Sequence, residues 1–287
     1  MSTTEPMSAF DAVEEMVGLA ALTGAHMHIC HINSVANRDL DDCVALVRRA
    51  QDLGLPVSVE SYTYGTFSTV IGANFLRGPD WLERFGGADY GAVEERGRPL
   101  TKDEIEHLQA TAPGTVVNFH FLRDETNKED ERLLDLAVMY PGGSIGSDGM
   151  PWIDSSGAVV EGDVWPLPEG AFAHPRSCGC FSRLFARWVR ERGKMSLSEA
   201  IRKCSLIPAQ ILEPAVPEMG TKGRLQVGCD ADITVFDPAT IQDNGTFTAP
   251  AQTATGHRHV LVNGTPIIED GQRNGGCLPG RPVRRSV

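Results

Sequence analysis

The sequence has no apolar run long enough to cross a bilayer, so no transmembrane segment is expected. It is also short of positive charge: 26 Lys and Arg stand against 38 Asp and Glu, a formal net charge of −12. Nucleic acid and anionic membrane surfaces both call for a basic face, and this balance argues against either partner. The opening residues, MSTTEPMSAFDAVEEM, hold neither a basic n-region nor an apolar h-region, so no secretory signal is expected and the protein reads as cytoplasmic. A disulfide framework is missing too. The seven cysteines are odd in number and scattered, which reads as reduced thiols. Cys178 and Cys180 form a C-G-C, but a structural zinc site would need a second pair, and none is near.

What remains is an ordinary globular composition. With 287 residues and 41% hydrophobic content, one large domain, or one plus a small satellite, is expected. Apolar residues at helical spacing predict a helix over 8–23, with Ser8 or Asp11 near its start. A buried strand follows over 25–31, then a second amphipathic helix over 37–53 capped by Gly54, then a strand over 56–61. This alternation with tight turns predicts a parallel sheet with right-handed crossovers. Residues 62–114 break the rhythm and read as a lid or binding-loop insertion. A further strand is expected over 115–121, a helix over 127–140, a short strand over 144–147 and a Gly/Pro-rich loop over 149–175. Helices are expected over 179–191 and 196–212, the second opened by a capping box of Ser196 and Glu199. Beyond 217 the chain turns β-rich, and the tail 275–287 is expected to lie extended on the surface.

Two stretches organise the chemistry: GAHMHICHINS at 24–34 and GGSIGSDGMPW at 142–152. In the first, His26 and His28 share a face with Cys30, while His31 points the other way at the strand end. That position makes His31 the metal-ligand candidate and leaves His26 and His28 as core or supporting residues. His120, also at a strand end, is the rival ligand. In the second stretch, small residues lead to Asp148, which is either a metal-contacting carboxylate or a turn aspartate. Tyr62 and Tyr64 follow a strand end, where they either line a pocket or pack a lid. His174 either touches substrate or holds its loop; Arg176 either clamps a carboxylate or sits at the surface.

At these motifs the chain resembles the C-terminal portion of the metal-dependent amidohydrolase superfamily, specifically the N-acyl-D-amino-acid deacylases (D-aminoacylase-like). HICHINS, SIGSDGMPW, HPRSCGCFSRLFARWVRE, SLSEAIRKCSLIPAQIL, KGRLQVGCDADITVFDP, VLVNGTPIIEDG and PGRPVR follow that family's order. The resemblance implies an α/β fold: the C-terminal part of a TIM-like (β/α)8 barrel over 1–216, and part of a small β-sandwich domain over 217–287. It implies zinc, with His31 as a ligand and Asp148 as both ligand and proton shuttle, and an N-acyl amino acid or related amide as substrate. Two departures stand out. The family's His-x-His, its middle-strand cysteine or modified lysine and a further strand histidine have no counterpart here. The lysine often found two positions after the metal histidine is Asn33 in this chain.

The expected function is therefore metal-dependent hydrolysis of C–N amide bonds in linear amides by an N-terminally incomplete chain. One alternative is a cyclic-amide hydrolase of the hydantoinase or dihydropyrimidinase kind. Another is a non-catalytic truncated or split half-barrel that needs an N-terminal partner or a second copy of itself.

Overall fold

A computed structural model describes residues 8–78 and 80–284. The reading of residues 1–7 as part of a non-secretory start, and of 285–287 as surface tail, lies outside the described residues. The chain forms two compact units that meet in sequence between Gly143 and Ser144. The position expected to divide barrel from β domain, near 217, falls inside the second unit. No helix among the described residues is long and apolar enough to cross a membrane.

The first unit opens on α1 (Ala9–Thr23), started by a reciprocal capping box between Ser8 and Asp11 and stopped by Gly24 in the left-handed region. Strand β1 (Met27–Ile29) and strand β2 (Val57–Ser61) pair in parallel with His28 opposite Ser58, as the alternation of elements predicts. Between them the polar segment after β1, left unassigned between strand and helix by the sequence pattern, is ordered. It forms a short helix, α2 (Ile32–Ala36), before α3 (Leu40–Asp52). The single helix expected from 37 begins late because Asn37 sits at φ 55°, which breaks helical propagation there. The α3 stripe of Leu40, Cys43, Val44, Val47 and Ala50 is buried as its spacing requires. Along β2, Val57, Val59 and Ser61 are buried while Ser58 and Glu60 stay half-buried, which puts those two on the face shared with His28.

The expected insertion has its own architecture. Strands β3 (Thr66–Val70), β4 (Val93–Glu95), β5 (Arg98–Pro99) and β6 (Val116–His120) form an antiparallel sheet in the order β3-β6-β4-β5. The short helix α4 (Trp81–Arg84) precedes β4, and α5 (Lys102–Thr111), capped by Thr101 and Glu104, runs between β5 and β6. The strand expected over 115–121 exists, but it pairs antiparallel with β3 and β4 rather than with the parallel pair. The reason is aromatic. Phe67 packs against Phe119, Phe121, Phe75 and Phe85 with ring centroids 5.2–5.9 Å apart, and Trp81 closes on Phe119 at 5.9 Å. Entry and exit of this sheet are joined: the Leu122 amide donates to the Gly65 carbonyl at 2.9 Å. A Cβ on Gly65 would lie 2.5 Å from the Leu122 carbonyl oxygen, so only glycine allows this approach. Helix α6 (Lys128–Val138) follows, capped by the Asn127 side chain, which accepts from the amides of Glu129 and Asp130.

The second unit begins with β7 (Ser144–Ile145) and the long loop carrying Asp148. Helix α7 (Arg176–Arg183) starts earlier than its sequence pattern suggests and passes into a π-helical stretch, Leu184–Glu191. The helix expected over 196–212 is two helices, α8 (Leu197–Cys204) and α9 (Leu206–Leu212), broken where Ser205 adopts φ −135°. Ser196 caps α8 by accepting from the Glu199 amide. Strands β8 (Ile233–Phe236), β9 (His257–Val262), β10 (Thr265–Glu269) and β11 (Gln272–Arg273) form an antiparallel sheet in the order β11-β10-β9-β8, matching the β-rich reading of this region.

Lys203 on α8 is 1% exposed, and burial, the largest influence, lowers its ammonium from 10.5 to about 8. The unfolded chain keeps that proton up to about 10.5. Between about pH 8 and 10.5 the unfolded state thus binds more protons, and this group makes the fold more stable as pH rises. Burial also raises the Cys43 and Cys204 thiols, which gives the opposite slope. The comparison must therefore be with Lys203→Met. The stability difference, wild type minus variant, is expected to climb by up to about 1.4 kcal/mol per pH unit in that window. Urea unfolding at pH 7.5 and 9.5 checks it; a pH-independent difference would contradict it.

Candidate functional site

In the first unit, His31 follows β1 with φ 38° and ψ 53°, in the left-handed region, as the residue before α2. Its Nδ1 lies 3.2 Å from Ser34 Oγ, which leaves Nε2 as the ring's other possible ligand atom. Asn33, 0% exposed, does not offer its amide to a substrate. Its Nδ2 donates to the Tyr62 and Tyr64 carbonyls at 3.3 and 3.1 Å, and its Oδ1 accepts from the Tyr62 amide at 3.3 Å. The side chain ties the turn after β1 to the turn after β2. Tyr62 and Tyr64 are both buried, so these aromatics are packed side chains at the end of β2.

The parallel register produces a polar ladder on the other face of β1 and β2. His26 Nε2 and His28 Nδ1 each lie 2.7 Å from Ser58 Oγ, and His28 Nε2 lies 3.5 Å from Glu60 Oε2. The nearest ligand atoms of His28, Cys30 and Glu60 all fall within 4.8 Å of one another. The hydrogen bond with His28 is the main influence holding the Glu60 carboxyl below the usual range; the positive field of His28 and His31 and the His31 backbone amide add to it. Sequence reading grouped His26, His28 and Cys30 on one face but missed Glu60. The signal was available: in a parallel pair with His28 opposite Ser58, Glu60 lies two residues further along the same face, level with Cys30.

His120 is not at the end of a parallel strand. It sits on β6 of the antiparallel sheet, with Nδ1 2.7 Å from Thr66 Oγ1 and Nε2 3.2 Å from Glu94 Oε2. Glu94 in turn accepts from Asn118 Nδ2 at 2.9 Å. His120 therefore belongs to a polar network of the insertion, as the antiparallel pairing of β6 dictates.

In the second unit, Asp148, His174 and Arg176 come together. Asp148 has φ 48°, a conformation that its short polar side chain tolerates. Arg176 is 2% exposed, so it is neither a surface arginine nor directed at solvent. Its Nη2 donates to Asp148 Oδ2 at 2.8 Å and its Nε donates to the Asp148 carbonyl at 2.7 Å. One guanidinium thus fixes both the carboxylate and the backbone of a left-handed residue. His174 is fully buried; its Nδ1 accepts from the Arg176 amide at 3.0 Å, and its ring meets Phe247 edge-on. Ser177 holds the same loop by accepting from the Met150 amide at 2.9 Å. Asp148 keeps its side chain about a third exposed within this frame.

His31 and Asp148 supply one imidazole and one carboxylate, both donor types that zinc accepts.

The amidohydrolase family profile matches residues 2–268. The chain is 39% identical over 284 residues to an N-acyl-D-glutamate deacylase of Alcaligenes xylosoxydans xylosoxydans, covering 96% of this chain and 52% of that protein. It is 30% identical over 236 residues to a D-aminoacylase of the same organism, covering 80% of this chain and 42% of that one. Its fold is similar to the crystal structure of N-acyl-D-glutamate deacylase from Bordetella bronchiseptica, complexed with zinc and a phosphonate inhibitor. The TM-score is 0.68 at 23% identity, with 96% of this chain and 53% of that chain covered. The chain spans about half the length of the curated relatives it matches. On the family match, its α/β architecture and the ordered motifs around His31 and Asp148, the chain belongs to the amidohydrolase family.

Proposed function

We propose that this chain is the C-terminal portion of a metal-dependent N-acyl-D-amino-acid deacylase, built as the last part of a (β/α)8 barrel with a segment of a small β domain. The observation that carries the reading is Asp148: a partly exposed carboxylate whose orientation is fixed by a buried guanidinium. Zinc, for which His31 and Asp148 are each ligand candidates alongside groups from outside this chain, would lower the pKa of water and polarise the amide carbonyl.

The chain's own residues do the rest. Asp148 takes a proton from the attacking water on its carboxylate and delivers it to the amide nitrogen as the C–N bond breaks, acting first as base and then as acid. Arg176 holds that carboxylate in one orientation, and His174 fixes the backbone that carries Arg176. Tyr62 and Tyr64 form a packed wall at the end of β2, set in place by Asn33. With Asn33 committed to that role, recognition of the substrate carboxylate falls to other groups. D-Glutamate derivatives are the first substrates to try, because the relative at 39% identity is named for them.

The half-length match also supports the second part of this reading, that the chain works with a complementary N-terminal portion. The test follows amine release from N-acetyl-D-glutamate and N-acetyl-D-leucine, and ring opening of hydantoin. It uses the chain in zinc, alone and with that portion supplied. Turnover of the linear amides only when both parts are present is the expected result. Opening of hydantoin without hydrolysis of the linear amides would replace this reading with the cyclic-amide alternative.

A further inference from the structure

The polar ladder on β1 and β2 lies entirely in the first unit and is not used by the deacylase reading. It presents one imidazole, one thiol and one carboxylate with ligand atoms within 4.8 Å of one another. Ligands on a tetrahedral zinc centre stand roughly 3.4 Å apart, a spacing set by metal–ligand bonds of about 2.0–2.3 Å. The His28 Nε2 to Glu60 Oε2 separation of 3.5 Å already has that value. Cys30 is exposed and follows the last residue of β1, with its sulfur within 4.8 Å of the His28 and Glu60 ligand atoms.

The hydrogen bonds behind the cluster are those a metal site needs. When His28 Nδ1 carries the ring proton, it donates to Ser58 Oγ, and the Ser58 hydroxyl then donates to His26 Nε2. That arrangement leaves His28 Nε2 as a bare lone pair facing a carboxylate oxygen at 3.5 Å. In the other tautomer the Nε2 proton is donated to Glu60, and a metal ion would take that proton's place. The ladder so supplies the orienting hydrogen bond that metal-bound histidines use. On the far side of Glu60, the His31 amide fixes the carboxylate.

We propose that His28, Cys30 and Glu60 bind one zinc ion, distinct from any bound through His31 or through Asp148. A neutral imidazole, a thiolate and a carboxylate together carry two negative charges, which balance the charge of the ion. Nitrogen, sulfur and oxygen donors together suit zinc better than calcium or magnesium, which take oxygen alone. Three protein ligands leave the fourth tetrahedral position to a solvent water. On binding, the Cys30 thiol gives up its proton to solvent as the zinc–sulfur bond forms. A second proton leaves where His28 Nε2 holds one. No oxidant or reductant takes part.

The test uses the full chain, stripped of metal and titrated with zinc and with cobalt(II). We expect one tightly bound zinc per chain whose affinity weakens as pH falls, because protons compete for the same nitrogen and sulfur. Cobalt should give thiolate-to-metal charge-transfer absorption in the near ultraviolet. Cys30→Ser should abolish that absorption, and Ser58→Ala should weaken zinc binding by about 10- to 100-fold. His31→Ala and Asp148→Asn should leave both signals in place, which separates this site from the deacylase reading. X-ray absorption of the zinc-loaded wild-type chain needs no variant and should show one sulfur among light N/O ligands. A thiolate band that survives Cys30→Ser, or a zinc edge without sulfur, overturns the proposal.

Discussion

Asp148→Asn is expected to lower kcat of the active hydrolase by about 10²–10⁴-fold, the range over which a positioned general acid–base group contributes. Asparagine keeps the size of the side chain and can still accept from Arg176 Nη2 through its amide oxygen, while the Arg176 Nε bond goes to the Asp148 backbone carbonyl and is untouched. The loss should therefore be chemical, not structural. KM should change little, since the group acts in the transition state, and the folded chain should retain its circular dichroism. Arg176→Lys offers the complementary reading. Lysine keeps one positive charge but cannot bond the carboxylate and the backbone carbonyl with a rigid fork. It should reduce kcat less than Asp148→Asn and alter the pH profile of the reaction, because the carboxylate is no longer held in one orientation. Unchanged kcat in Asp148→Asn would remove this residue from the proton-transfer role.

The second large effect is on stability. Asp130, on α6, is 1% exposed and accepts from Arg38 Nη1 and Nη2 at 2.7 and 3.2 Å and from the Arg123 amide at 2.7 Å. Arg38 keeps 37% of its side chain exposed, so the pair is sheltered on one side only. Arg38→Met leaves the carboxylate buried with an amide as its remaining named partner. Stranding one member of a buried pair costs about 3–5 kcal/mol, and water reaching the exposed side trims this to about 3 kcal/mol. Methionine retains the apolar stem that packs on Gly86, where a Cβ would already collide with the Arg38 side chain. The loss should then report charge more than packing. Urea unfolding of Arg38→Met and of Arg38→Met with Asp130→Asn decides the matter. The double variant should recover part of the loss, because its buried group is no longer charged. A loss under about 1 kcal/mol in the single variant would mean that the carboxylate is satisfied without arginine.

Local pattern carried far in this sequence, and long-range pairing did not. The α3 stripe, the Ser8 and Ser196 caps and the β-rich end from 233 to 273 were legible because each depends on residues a few positions apart. The fate of 115–121 was not. Its run TVVNFHF suits a parallel or an antiparallel strand equally, and the choice rests on Phe67, Phe85 and Trp81, distant in sequence. The partners of His120, Thr66 and Glu94, were hidden for that reason. Asp148, His174 and Arg176 were each picked out as candidates, but the sequence could not reveal that Arg176 turns inward to bind Asp148. Glu60 escaped notice because a lone carboxylate in PVSVES gains meaning only once the register places it beside His28 and Cys30. The helix at 32–36 was hidden by Asn33 and Ser34, polar residues that read as loop until Asn33 is seen holding two carbonyls of the neighbouring turn.

The seam between Gly65 and Leu122 bears on how such a protein can change over generations. Because the two ends of the antiparallel sheet leave the parent fold side by side and hydrogen-bonded, everything between them is an appendage on a closed neck. Lengthening, shortening or exchanging that appendage alters no spacing in the elements on either side. Diversity among descendants can therefore accumulate there at little cost to the α/β scaffold, while Gly65 itself must stay as it is.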